Sequence, residues 1–128
     1  MALLRILRLS AAGGPIDVEI VIGHAQFGKY ELSLYDRDGR HPVLIGAGLS
    51  HDQLPDRFQV AADTQVLHGR FLSWSANVIP AGEEAEPQFS VIVHVRQGGI
   101  DVAGSPVESR GRLDAPRVEF GFVKLEVE

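Results

Sequence analysis

Apolar side chains recur at every second position along most of this chain, the period of a strand that lays one face on a core. In residues 17–24 the series is Val18, Ile20 and Ile22. In residues 29–37, Tyr30, Leu32 and Leu34 alternate with Lys29, Glu31 and Ser33. Residues 66–79 carry Leu72, Trp74, Ala76 and Val78 in phase, and residues 88–97 carry Phe89, Val91, Val93 and Val95. Shorter candidates are residues 57–60 and the stretch IDVAG from Ile100. In residues 117–127 the phase changes. Val118, Phe120 and Phe122 share one face, and Val123, Leu125 and Val127 the other. A change of that kind beside Gly121 predicts a bulge, or a strand buried on both sides.

Breakers separate these runs: AAGGP, GAGLSHDQLPD, PAGEEAEP, QGG, GSP and LDAP. No ten-residue amphipathic helix fits between them. The best helical fragment is Ser50–Leu54, where Ser50 and Gln53 have capping-box spacing and Pro55 limits it to about one turn. The expectation is an all-β chain of 128 residues in one domain. It is an antiparallel β-sandwich of jelly-roll or Ig/C2-like type, with eight or nine strands and at most that one short helix. The acidic run at positions 83–86, between prolines, reads as a solvated loop tip.

The N-terminal MALLRILRL reads as a first strand docked in the sheet. Arg5 and Arg8 interrupt it too early for a secretory signal, and a face of Leu3, Leu4 and Leu7 is the amphipathic-anchor alternative. No window is apolar enough for a spanning helix. The absence of cysteine removes disulfides and thiolate sites and fits a cytoplasmic location. A formal net charge of −5 argues against nucleic acid as a partner, because phosphate binding needs clustered cations.

Asp36 and Asp38, beside Gly39, pose the sharpest chemical question. As a hairpin, Asp38-Gly39 would fill a type I′ turn, with Leu34 facing Val43 and Leu32 facing Ile45. Pro42 then makes the second arm an edge strand or a bulged one. As a calcium loop the stretch fails, since neither register supplies the required glycine and glutamate together. LYDRDG…LIG nevertheless resembles the Asp-rich strand ends of C2 domains. That resemblance implies calcium held at loop tips, with Asp52, Asp56, Asp63 and Asp101 as further ligands. The turn is the preferred reading.

The remaining chemistry is sparse. Five histidines show no metal-ligand spacing, so no metal site and no cofactor are expected. His51 beside Asp52, near Asp56, is the most polar loop cluster and the pair to test first for general-base chemistry. No GxSxG elbow or phosphate loop occurs. Trp74 is assigned to the core. Tyr35, on the face opposite Leu32 and Leu34, is the best candidate for an exposed aromatic. Val21, Ile92 and Phe71 put apolar groups on outer faces, and if they cluster they mark an interface. The chain is therefore expected to be a non-enzymatic module that acts through its surface, associating with itself or with another protein. The alternative is a lectin- or C2-like ligand binder using Tyr35, Asp36, Asp38, His51, Asp52 and Asp56; a small enzyme is the third reading.

Overall fold

Burial alternates with sequence period two in strand after strand, and this alternation builds the sandwich. The computed structural model describes residues 5–23, 26–50, 56–61, 63–81 and 87–128. Among these residues there are ten strands: β1 (Arg5–Leu9), β2 (Ile16–Gly23), β3 (Phe27–Tyr35), β4 (Val43–Ser50), β5 (Asp56–Ala61), β6 (Phe71–Ile79), β7 (Gln88–Gln97), β8 (Ile100–Asp101), β9 (Val107–Arg112) and β10 (Arg117–Val127). They form two sheets. Sheet A has the order β1-β10-β6-β3-β4, and sheet B the order β5-β2-β7-β8, with β9 also paired to β7.

The two inner faces meet in one core. Leu32, Leu72, Trp74, Val123 and Leu125 come from sheet A, and Val18, Ile20, Ile22, Val91 and Val93 from sheet B. Each apolar residue of this size gains roughly 1.5–3 kcal/mol on leaving water. The expected all-β sandwich is the observed one, and Trp74 lies in its core.

Several local expectations are corrected. The tenth strand is β9, VESRGR, where only Val107 packs on the core. Its pairing with β7, not its own composition, makes it a strand. The pairing is not wholly antiparallel, because β1 runs parallel to β10. The stretch 66–79 is not one strand. Asp63 accepts a hydrogen bond from the Gln65 N–H and caps a 3₁₀ turn over Thr64–Leu67, which buries Leu67. Gly69, at φ 79°, then redirects the chain into β6. The strand β4 runs through the glycines at 46 and 48 that read as a connector. It ends at Ser50; the short helix expected over Ser50–Leu54 falls on positions 51–55, which, with His51 and Asp52, lie outside the described residues, as does the acidic run at 83–86.

β10 contains neither a bulge nor two buried faces. Its pairing with β6 is unbroken from Arg117 to Lys124. Gly121 points inward and lies flat on Trp74, where a Cβ would come within 2.3 Å of the indole ring. The inward series is thus Gly121, Val123 and Leu125, and Val118, Phe120 and Phe122 all face outward.

Candidate functional site

The hairpin between β3 and β4 decides the acidic question. It is a three-residue loop, not the mirror-image two-residue turn. The Gly39 N–H donates to the Asp36 carbonyl at 3.0 Å, and the Asp36 N–H to the Arg40 carbonyl at 2.9 Å. Gly39 has φ 73° while Asp38 keeps negative φ; the other left-handed residue of the loop is His41, at 54°. The Asp36 side chain explains the preference. Its Oδ1 accepts from the backbone N–H groups of Asp38 and Arg40 at 3.0 and 2.9 Å. Its Oδ2 sits 2.6 Å from His41 Nδ1. The His41 contact, then the two backbone donors, hold the Asp36 carboxyl below the usual carboxylate range.

Leu34 does face Val43, as expected, but a bulge shifts the next pairs, so Leu32 faces Gly46 and not Ile45. β4 is an edge strand, as Pro42 led one to expect, but Pro42 precedes the strand and the bulge falls between Leu44 and Gly46.

Asp56 stands apart from this turn. It opens β5 and accepts a short hydrogen bond from the buried Tyr30 hydroxyl. Burial, then the bond to Asp56, pushes the Tyr30 phenol well above its ordinary range. Asp36 and Asp38 thus line one depression with Arg37 and Arg70, Tyr35 lines another beside Phe71, and Asp56 lies apart with Tyr30. Among the described residues, no group of three His, Asp or Glu side chains is placed to hold a metal ion.

A polar cluster that the sequence reading missed occupies the outer face of sheet B. Glu19 is nearly buried and receives Arg96 at 2.6 Å and Arg57 at 3.3 Å. Asp101 contacts His94 at 3.0 Å and accepts from the Ser105 hydroxyl at 2.7 Å. Burial works against the Asp101 carboxylate, but the Ser105 and His94 bonds outweigh it and its pKa falls. The serine here bonds the carboxylate and takes a hydrogen bond from the Val95 N–H, so it is not paired with the imidazole as a nucleophile would be.

Sheet A is the opposite in character. Of the large apolar side chains exposed among the described residues, Ile6, Phe27, Leu44, Leu49, Ile79, Val118, Phe120 and Phe122 lie on its outer face. Phe120 is 77% exposed and Phe122 52%. Beside Phe122, a shallow hollow of about 320 Å³ is lined by Tyr35, Gly39, Phe71 and Ser73. It adjoins a second depression where Ser73 and Ser75 form the floor between Phe120 and Glu31. The cross-strand register builds this groove: Phe120 faces Ser75 and then Glu31, and Phe122 faces Ser73 and then Ser33. Small serines on β6 leave a trough between aromatic β10 and β3.

No protein-family model matches the chain. Neither the curated proteins nor the solved structures contain a significant match. The outer-face residues named for clustering are split: Val21 and Ile92 are cross-strand neighbours on sheet B, while Phe71 lies on sheet A. The signal for the sheet A face is present in the alternation of Val118, Phe120 and Phe122, but reading a bulge at Gly121 hides it.

Proposed function

We propose that this protein is a non-enzymatic binding module whose working surface is the outer face of sheet A, used to dock a protein surface. The observation that carries this reading is the contrast between the two outer faces. On sheet B, acids and bases satisfy one another, and the apolar pair Val21 and Ile92 is half-buried. On sheet A, phenylalanines stand in water along one strand, flanked by further apolar side chains. Its charges are fewer: Arg8 and Lys124 reach Glu126 at 3.5 and 3.7 Å, and Lys29 and Glu31 stand on β3. Large apolar side chains left exposed on one face mark an interaction site, because exposing them has no compensating gain in the free chain.

The test compares two double variants as affinity baits. Phe120→Ser with Phe122→Ser should lose the proteins that the wild-type chain retains. Arg110→Ser with Arg112→Ser, on β9, should keep them. Equal retention by both variants would refute the sheet A face as the binding surface.

The hollow beside Tyr35 favours a second reading, a small ligand with an apolar ring face and hydroxyls. Aromatic walls would take the ring face, and Ser73, Ser75 and Glu31 the hydroxyls. A Tyr35→Ala variant with unchanged affinity in a calorimetric glycan screen would exclude it.

A further inference from the structure

We infer that a second copy of this chain adds to sheet A through the free edge of β4, joining two five-stranded sheets across a two-fold axis. The sandwich has four lateral edges, and three are blunted. At β1, Ala103 bridges to Arg8 and Gly104 packs on Leu7. β5 carries Asp56 and Arg57. β9 carries Glu108, Arg110 and Arg112, and the chain breaks away from β7 between β8 and β9. Charges and interruptions of this kind prevent strand-to-strand addition. β4 has neither. Its eight residues, VLIGAGLS, hold no charge and no proline, and among the described residues no strand pairs with its far side.

The chemistry of this edge selects its own sequence as the occupant. Inward positions Gly46 and Gly48 carry no side chain. Their Cβ positions are filled from below by the Phe58 ring and the Tyr30 hydroxyl, at 2.4 and 2.6 Å. An added peptide would therefore find no inner-face pocket to read its alternate side chains, the usual source of specificity in strand addition. The outward positions are Leu44, Ala47 and Leu49, in register with Ser33, Glu31 and Lys29. Leu44 is 59% exposed and Leu49 69%. An antiparallel pairing centred on Ala47 sets Gly46 against the partner's Gly48, and Leu49 against the partner's Ile45, at the bulged step beside Leu44. Glycine meets glycine on the inner side, apolar side chains meet beyond it, and no like charges are opposed.

The chain has no cysteine, so a single introduced thiol is a clean reporter. Ala47→Cys, exposed and at the axis, should oxidise to a disulfide-linked dimer about tenfold faster than Asn77→Cys, exposed on β6 away from the edge. The wild-type chain should show concentration-dependent dimerisation in sedimentation velocity. Leu44→Lys with Leu49→Lys should be monomeric with an unchanged Tm. Phe120 and Phe122 lie on β10, away from this edge, so adding Phe120→Ser and Phe122→Ser to the Ala47→Cys variant should leave its cross-linking rate unchanged. Equal oxidation rates at the two positions, a dimer that survives the lysine pair, or a strict monomer at millimolar protein would each overturn it.

Discussion

Gly46, Gly48 and Gly121 are held by contact. At each, a methyl group would enter space already filled by Phe58, Tyr30 or Trp74. Gly121→Ala is expected to destabilise the chain by about 1–3 kcal/mol, because the indole beneath it is buried and has no free direction to move. Chemical denaturation would register this as a lower midpoint with an unchanged slope. Tyr30 supplies a pH prediction. Its folded-state pKa lies above its ordinary value of 10.0, because burial and Asp56 disfavour the phenolate. Below that ordinary value both states keep the proton and the stabilisation is complete. Above it the unfolded chain ionises first, so stability falls as pH rises. Tyr30→Phe should weaken the protein by about 1 kcal/mol at neutral pH through the lost hydrogen bond, yet show a shallower alkaline decline in Tm. Asp36 behaves in the reverse sense. Its pKa is depressed, so its contribution is present above the ordinary 3.8 and is lost as pH falls through the lower folded value. Asp36→Asn should flatten that acid limb in a Tm–pH series.

At the level of elements, β10 separates two jobs by alternation. Its inward series, with Val123 and Leu125 fully buried, supports the core, and its outward series presents Phe120 and Phe122 to solvent. Replacing the two phenylalanines by serine should therefore change stability by no more than about 0.5 kcal/mol each, since neither fills the core. A Tm loss like that of a core truncation would mean that the two rings are structural. The strand itself was legible from residue 117 to residue 127, and β7 from 88 to 97. The apparent change of phase at Gly121 was misleading, because glycine carries no side chain to show which face it serves. β9 was not legible: strand identity there comes from a neighbour, and a short edge strand with alternating charges has no apolar signature of its own.

For the whole molecule, the two outer faces differ because one satisfies its charges and the other leaves rings uncovered. Glu19 is the pivot of sheet B. Its carboxylate is about one-tenth exposed and is held by Arg96, itself largely covered. Arg96→Met should cost about 2 kcal/mol, leaving Glu19 with Arg57 alone, whose side chain is mostly in solvent. Thermal denaturation of Arg96→Met against Glu19→Gln/Arg96→Met would check the assignment. The double variant should recover part of the loss, because the uncompensated charge is gone.

The sequence by itself determined that this chain is a layered β structure, which strands supply the core, that Trp74 is inside and that Pro42 marks an edge. These follow from side-chain period and backbone chemistry, both local. Only the tertiary structure decided that Phe120 and Phe122 share an open face with Tyr35, that Asp36 turns its oxygens inward on its own loop, and that Asp56 serves Tyr30. It also decided that, among the described residues, no strand pairs with the far side of β4. Those facts depend on strand order and register, which join residues far apart in the chain and leave no periodic trace within any one segment.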